Sequence, residues 1–230
     1  MNKIVAMHQP NYLPWLGFFS KIKHSDCFVI VDNIGFNRRG YTHRNKIRVN
    51  VKEGWMWLTI PSVSKVPLGT FINEIKLPKN NQWQKRHWKI IELNYKKADY
   101  FYSYNDFFEN LYKEKFEYLW QINEKIIFCL LKCFDIDTEI IKSSDLDLDP
   151  KFKKADLIIA ILKNIDAKTY LSGTSGKNYL EFDKFKRNDI KLEVFEFKHP
   201  VYKQRYPGFE QNMAAIDLLF NMGEKSKGLI

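Results

Sequence analysis

The chain has 230 residues, of which 45% are hydrophobic, 16% aromatic and 28% charged, and its formal net charge is +10. This composition is typical of a folded globular protein and excludes a disordered or fibrous chain. No apolar run approaches the length of about 18 residues that a membrane span needs, so we expect no membrane insertion. The first residues lack the pattern of a signal peptide, which predicts a cytoplasmic protein.

The three cysteines are an odd number in a chain of this size. Two of them, Cys129 and Cys133, stand four residues apart in an apolar helical stretch, where cysteine behaves as a small apolar side chain. We therefore expect buried free thiols and no metal site. The excess of positive charge favours an anionic partner, but charge alone does not identify it.

The N-terminal part predicts two parallel strands joined by a helix. Ile4–Met7 is a short apolar run, and Cys27–Asp32 is a second run of the kind found in strands buried on both faces. Between them, apolar residues recur at helical spacing over Pro14–His24. A connection of this length suits a right-handed crossover between parallel strands.

Residues 34–80 predict a small antiparallel insert. Its short extended segments are Lys46–Val51, Trp55–Ile60 and Ile72–Lys76. Residues 82–165 are predicted to be mainly helical, with one extended segment at Ala98–Tyr102. The helices expected here are a segment beginning at Gln82, then Phe107–Phe116, Tyr118–Cys133 and Phe152–Asn164, the last with Asp149 as its N-cap.

The C-terminal part returns to alternating strands and helices. The strands predicted here are Lys168–Ser172 and Lys191–Phe197, and the helices are Tyr179–Arg187 and Asn212–Met222. We therefore predict an α/β fold in which helices flank a mainly parallel sheet. No segment resembles a linker, so residues 1–230 are expected to form a single domain.

A polar, proline-rich segment follows the first predicted strand, where α/β sheets bind ligands. It contains His8, Gln9 and Asn11. Histidine titrates near neutral pH, so His8 is a candidate general base for an attacking amine or hydroxyl. Asp32 ends the second predicted strand and, if the two strands are parallel neighbours, reaches the same sheet edge to orient His8. The alternative is a turn in which His8 bonds only to nearby main chain.

Arginine is concentrated in the loop after the second strand, at Arg38, Arg39 and Arg44, with Asn45 beside them. Guanidinium groups bind phosphate oxygens in a bidentate manner that lysine does not match. The loop therefore predicts a phosphate site. A solvated surface loop is the alternative.

A turn rich in glycine and hydroxyl groups follows the strand predicted at Lys168–Ser172. Ser172, Gly173 and Ser175 in this turn would let a ligand phosphate approach the main chain. The spacing of a Walker A sequence is absent. A plain strand-to-helix turn is therefore the alternative.

The last candidate segment is a loop rich in hydrogen-bond donors and aromatic rings. His199, Tyr202 and Gln204 in this loop suit a sugar or a base, which takes stacking and directional hydrogen bonds. The alternative is a structural loop fixed by its prolines.

Taken together, these motifs resemble the WbqC-like protein family over nearly the full chain. The resemblance is carried by HQPNYLPWLG at residues 8–17, Val31-Asp32, Tyr41 with Arg44-Asn45, WLTIP at residues 57–61, Tyr170–Gly173 with Tyr179-Leu180, and HPVY at residues 199–202 with Gln204 and Phe209-Glu210. It implies a transferase of surface-polysaccharide (O-antigen) biosynthesis that moves an acyl or aminoacyl group, such as glycine, onto a nucleotide-linked amino sugar. The donor would be an aminoacyl-tRNA or an acyl carrier. No cofactor is implied, and the oligomeric state is not indicated.

A fainter similarity links the N-terminal segment to nucleotidylyltransferases with the H-x-G-H signature, which implies an ATP-dependent amide ligase or nucleotidylyltransferase. The chain departs from that signature, because Asn11 stands where the second histidine would be. An alternative of another class is a nucleic-acid (RNA or tRNA)-binding module, given the positive charge and the many aromatic residues. A non-catalytic partner of polysaccharide enzymes is the last reading.

Overall fold

The computed structural model describes residues 3–61, 66–174, 176 and 180–230, which form two compact units. The sheet unit comprises Met1–Gln9, Ser20–Asn33 and Asp137–Lys198, and the helical unit comprises Pro10–Phe19, Ile34–Ile136 and His199–Ile230. The strands are β1 (Ile4–His8), β2 (Cys27–Ile30), β3 (Arg44–Arg48), β4 (Trp55–Thr59), β5 (Glu139–Lys142), β6 (Thr169–Gly173) and β7 (Lys191–Phe195). The α-helices are α1 (Leu16–Lys23), α2 (Gln82–Tyr95), α3 (Phe101–Leu111), α4 (Leu119–Cys133), α5 (Ala155–Asn164), α6 (Phe182–Lys186) and α7 (Ile216–Met222).

The predicted α/β fold is confirmed: there is a five-stranded parallel sheet and a two-stranded antiparallel sheet. The parallel sheet has the order β5-β2-β1-β6-β7. The prediction of a single domain stays a prediction. None of the helices in the described ranges is long and apolar enough to cross a membrane.

Strand β1 lies at the centre of the parallel sheet. Val5 is paired with Cys27 of β2 on one side and with Tyr170 of β6 on the other. Its successive residues Val5, Ala6 and Met7 point to opposite faces and are all buried. This explains the continuous apolar run, because a strand covered on both faces shows no polar alternation.

The connection from β6 to β7 illustrates how helices cover this sheet. The ring of Phe185 on α6 stacks on that of Tyr170 on β6, with centroids 5.9 Å apart and planes inclined by 11°. Phe185 is fully buried. The short helix is therefore fixed to the sheet by one aromatic contact at its centre.

In the helical unit, β3 and β4 form the predicted antiparallel insert, with Lys46 opposite Trp57. The side chain of Asn45 is completely buried and serves the main chain. Its amide nitrogen donates to the carbonyl of Leu13 at 2.6 Å, and its oxygen accepts from the amide of Lys46 at 2.8 Å. Asn45 thereby ties the segment before α1 to the insert.

A chain of polar groups runs through the core of the helical unit. The hydroxyls of Tyr112 and Tyr12 are 2.5 Å apart, and the Tyr12 hydroxyl lies 2.8 Å from Nδ1 of His87. Nε2 of His87 is 3.2 Å from the carbonyl of Thr59, which can only accept. Nε2 therefore donates, and Nδ1 accepts from Tyr12. This arrangement needs a neutral imidazole, and burial lowers the pKa of His87 to about 4.

Several local predictions were wrong. Ile72–Glu74 is a 3-10 helix instead of a strand, and α3 begins at Phe101 within the segment expected to be extended. Helix α5 begins only at Ala155, while Asp149 accepts from the amide of Lys151 in the preceding turn.

Strand β5 was not predicted. It is a sheet edge of four residues that pairs with β2, and its ends are the charged Glu139 and Lys142. Such short edge strands carry little apolar signal. The three cysteines are free as expected, but Cys129 and Cys133 are partly exposed.

The lowered pKa of His87 makes the stability of the protein depend on pH. Between about pH 6.5 and about pH 4 the unfolded chain binds a proton at this residue that the folded chain does not bind. Through His87 alone, wild type therefore loses up to about 3 kcal/mol on acidification through this interval, a contribution that His87→Gln lacks. We expect the difference in unfolding free energy between the two proteins, measured in urea, to shrink accordingly.

Above about pH 7.5 the imidazole of His87 is neutral in both the folded and the unfolded protein. The difference in unfolding free energy between wild type and His87→Gln should therefore be constant there. That range serves as the internal control. A difference that stays unchanged down to pH 4 would show that the imidazole is not held neutral in the fold.

Candidate functional site

The parallel sheet contains one point where its connections change direction. β1 continues through α1 to its neighbour β2, whereas β6 continues through α6 to β7 on the opposite side. The chain therefore leaves the carboxyl ends of the adjacent strands β1 and β6 in opposite directions. In open α/β sheets this is the position of the ligand crevice.

The structure brings residues of three predicted segments to this carboxyl edge. His8 is the last residue of β1, and Gln9 follows it. Ser172 and Gly173 end β6, and Asp32 lies two residues beyond β2. All of these residues belong to the sheet unit. We call His8, Lys21 and Ser172 the edge site.

His8 is partly exposed at the end of β1, and its Nδ1 lies 2.9 Å from the carbonyl of Gln9. Because a carbonyl only accepts, Nδ1 carries the proton in the neutral ring, and the basic lone pair is on Nε2. Burial among protein atoms and, as the smaller cause, the charge of Lys21 together lower the pKa of His8 to about 4. The imidazole is therefore neutral at physiological pH and able to accept a proton.

Lys21 is the residue of this site that sequence reasoning missed. Its side chain is only 4% exposed, and its Nζ donates to the carbonyl of Met7 at 2.7 Å. An ammonium has three donors, and Met7 is its hydrogen-bond acceptor within the described ranges. Burial lowers the pKa of Lys21 to about 8. The sheet edge thus holds a positive charge whose hydrogen bonds are incompletely satisfied.

Asp32 does not form the predicted dyad with His8. Its carboxylate accepts from the amide of Ser144 at 3.0 Å and from the Ser144 hydroxyl at 2.8 Å, and a further bond comes from the hydroxyl of Ser143. The described hydrogen bonds of this carboxylate all come from that serine turn after β5. Asp32 therefore holds β5 to the end of β2 instead of orienting an imidazole.

The described residues that follow β6 pack closely on Ser172. The hydroxyl of Ser172 donates to the carbonyl of Gly173 at 3.1 Å, and Ser172 is buried. A side chain at Gly176 would begin only 2.0 Å from that hydroxyl, so the close approach requires glycine there. Ser175 lies outside the described residues.

The sequence profile of the WbqC-like protein family matches residues 9–228. The chain belongs to the WbqC-like family. It is also 30% identical over 228 residues to the uncharacterized protein Rv1507c of Mycobacterium tuberculosis, a match that covers 97% of this chain and 96% of that protein. No solved structure matches the chain.

The predicted arginine residues of this WbqC-like protein lie in the helical unit, where two of them donate to main-chain carbonyls. Arg38 donates to the carbonyl of Val66 beyond β4, and Arg44 donates to that of Arg39 at 2.8 Å. Arg39 is exposed. Both polar atoms of the buried Asn45 side chain bond to the main chain, which favours a structural role for this residue. The phosphate site in this loop stays a prediction.

The predicted residues of the last loop surround a buried carboxylate. Tyr202 donates to Asp217 at 2.8 Å, Gln204 donates to it at 2.9 Å, and Tyr95 donates to its other oxygen at 2.9 Å. Burial raises the pKa of Asp217. The ring of His199 stacks on that of Tyr202. Tyr202 and Gln204 therefore hold the loop to α7, and their assignment to a sugar or base stays a prediction.

Asn11, the remaining predicted ligand, is a buried residue of the helical unit. The described part of the WbqC-like chain contains no group of three or more His, Cys, Asp or Glu that could hold a metal ion. The edge site is therefore the arrangement in which a buried charge, a neutral imidazole and a topological crevice coincide.

Replacing Lys21 tests the electrostatic coupling within this site. Lys21→Met removes the charge that helps to lower the pKa of His8, so this pKa should rise above about 4. It should stay below about 6.5, because burial is the larger cause. An NMR titration of the histidine ring signals measures the shift.

The matched control is Lys23→Met, because Lys23 is an exposed lysine on the same helix. It should move the His8 titration much less. Equal shifts in the two variants would show that Lys21 has no special influence on the edge site.

Proposed function

We propose that this protein is a cytoplasmic transferase that moves an acyl or aminoacyl group, such as glycine, onto the amine of a nucleotide-linked amino sugar at the edge site. One observation carries the proposal: the partly satisfied ammonium of Lys21 is buried beside the neutral imidazole of His8 at the ligand crevice of the sheet. The ammonium suits the diphosphate of the substrate. The imidazole suits a proton transfer from its amine.

In the proposed reaction the sugar amine attacks the carbonyl carbon of an ester or thioester donor. A C–N bond forms and the C–O or C–S bond to the donor breaks. Nε2 of His8 takes the proton from the attacking nitrogen and returns it to the leaving oxygen or sulfur. An aminoacyl-tRNA or an acyl carrier supplies such a donor, and no redox step or external oxidant is needed.

Binding of the substrate would also adjust the strength of the base. In the protein without substrate, His8 has a pKa of about 4 and is a weak base at neutral pH. A diphosphate close to Lys21 offsets the positive charge that lowers this pKa. His8 would therefore become more basic when the acceptor is bound, which couples proton transfer to substrate binding.

The family supports this assignment at a coarser level. The resemblance to WbqC-like proteins implies a role in surface-polysaccharide biosynthesis, and the matched residues 9–228 include most of the edge site. The mycobacterial relative is uncharacterized and contributes no activity. The specific acceptor and donor are inferred from the chemistry of the site.

A second candidate, an ATP-dependent amide ligase or nucleotidylyltransferase, is favoured by the topology. Numbered within the sheet unit, the strand order is 3-2-1-4-5, which matches five of the six strands of the dinucleotide-binding order 3-2-1-4-5-6. The two candidates differ in their products. A transferase adds the acyl mass to the amino sugar without ATP, whereas the ligase or nucleotidylyltransferase releases pyrophosphate or AMP.

Mass spectrometry of nucleotide-linked amino sugars, incubated with aminoacyl-tRNA or acyl-carrier thioesters, therefore tests the proposal directly. We expect an acylated sugar in the absence of ATP. Product formation that requires ATP would replace the leading candidate with the second one. No reaction with any of these donors would reject acyl transfer.

The role of His8 is tested by His8→Gln, which keeps a hydrogen-bonding side chain but cannot cycle a proton near neutral pH. Turnover should fall by roughly 10²–10⁴-fold, the usual contribution of a general base. Affinity for the nucleotide-linked sugar, measured by calorimetry, should change little. The control is His24→Gln, because His24 is an exposed histidine of the same unit, and it should retain wild-type turnover.

The pH profile gives an independent readout of the same base. His8 acts only when deprotonated, so kcat/KM should be retained above its pKa and lost as the pH falls through about 4. An acid limb near pH 6.5 would point to an unperturbed histidine elsewhere. Recovery of the His8→Gln defect at high substrate concentration would make His8 a binding residue.

A further inference from the structure

One surface of the helical unit combines positive charge with aromatic rings. Side chains alternate across the β3–β4 sheet, so Arg44 and Lys46 of β3 lie on the same face as Trp55 and Trp57 of β4. The alternate residues, such as Ile47, are buried on the opposite face. Arg48 shares this face but is buried and donates to main-chain carbonyls, so the accessible part of the face concentrates two cations and two indole rings within two short strands.

The cations of this face lie over the rings. Nζ of Lys46 is 3.7 Å from the ring centroid of Trp55 and 5.4 Å from that of Trp57. The guanidinium carbon of Arg44 is 4.5 Å from the centroid of Trp57, within the range of cation–π attraction. The ring of Tyr41, which is 45% exposed, lies 5.7 Å from that of Trp57. We call these five residues the cation–aromatic face.

Among the described residues, the positive charges of this face have no carboxylate partner. Neither Arg44 nor Lys46 forms a salt bridge there. The hydrogen bonds that Arg44 donates within the described ranges go to the main-chain carbonyls of Gly40 and Arg39 and use two of the five N–H groups of its fork. In a chain with a net charge of +10, this face is ready to accept an anion.

We propose that the cation–aromatic face binds single-stranded nucleic acid. Phosphates along such a strand would pair with Lys46 and with the remaining N–H groups of Arg44. Unpaired bases would stack on the exposed ring of Tyr41 and on the guanidinium plane of Arg44, because both offer flat surfaces to any base. This combination of cations and stacking surfaces is the one that single-strand-binding proteins use.

Two other ligand classes fit this face less well. A neutral sugar would need open indole faces, whereas Lys46 and Arg44 already lie over Trp55 and Trp57. A duplex offers phosphates, but its bases are stacked on one another and cannot engage Tyr41. The proposal does not depend on the edge site, because all five residues belong to the helical unit.

The experiment compares two charge reversals of equal size. Lys46→Glu removes a cation of the face, and Lys89→Glu removes an exposed lysine of α2 in the same unit. Binding of fluorescent oligouridylate and oligodeoxythymidylate of about 12 nucleotides is measured by anisotropy over a series of salt concentrations. We expect Lys46→Glu to weaken binding by about tenfold or more and to reduce the salt slope by about 0.7, and Lys89→Glu to weaken it less than about threefold.

The stacking part of the proposal is tested at Tyr41, whose exposed ring can be changed with little risk to folding. Tyr41→Ala should weaken binding roughly tenfold, whereas Tyr41→Phe, which keeps the ring, should restore it. Thermal melting verifies that every variant is folded. Tighter binding of the RNA strand would add recognition of the 2′-hydroxyl, and equal binding of both strands would indicate stacking and phosphate contacts alone.

Three results would overturn the proposal. Equal losses in Lys46→Glu and Lys89→Glu would mean general charge attraction without a site. Equal binding of a duplex of the same length would exclude stacking of bases. Displacement of the oligonucleotide by a neutral oligosaccharide, or the absence of any binding at low salt, would show that the face serves another ligand.

Discussion

The double pairing of strand β1 is the constraint on which the sheet unit depends. β1 forms parallel ladders with β2 and with β6, and the two connections then leave in opposite directions. Parallel strands must be buried on both faces, so the chain stays apolar up to Met7. Polar side chains can stand only where the strand ladders end. This places His8 and Ser172 at one crevice.

The same geometry explains the unusual state of Lys21. A buried ammonium is costly unless its donors are satisfied, and the main-chain carbonyl of Met7 satisfies only one of three. An apolar side chain at position 21 would avoid this cost. The stability of the ligand-free fold therefore does not explain why a lysine stands there. An anionic ligand at the crevice would supply the missing acceptors. The resulting neutralisation would change the basicity of His8, so binding and proton transfer depend on the same charge.

Much of the fold could be predicted from the sequence, because the spacing of apolar residues along a strand or helix is a local signal. Strands β1, β2 and β6 are apolar runs, and their order of connection placed His8 and Ser172 at one edge. The partners of polar side chains are not local. Asp32 is 111 positions from Ser143 in the sequence, so no local pattern could predict that its carboxylate bonds to this serine turn. Lys21 was missed because it lies outside the apolar repeat of this helix, and burial of α1 extends beyond that repeat to polar positions such as Ser20 and Lys21.

The positive charge of the chain is informative only through the partners of each cation. Arg38 donates to the carbonyl of Val66 beyond β4 and Arg44 donates to a carbonyl of the preceding loop, although their clustering in the sequence suggested a phosphate site. Lys46 lies over two indole rings and has no acid in the described ranges, although nothing in its sequence neighbourhood distinguishes it from a solvated lysine. Cation–π contact leaves the full charge available to an anion, since a ring does not neutralise it as a carboxylate does. A cation held over rings in this way can therefore be fixed in position and still attract a phosphate, which is the combination that recognition of a flexible anionic strand requires.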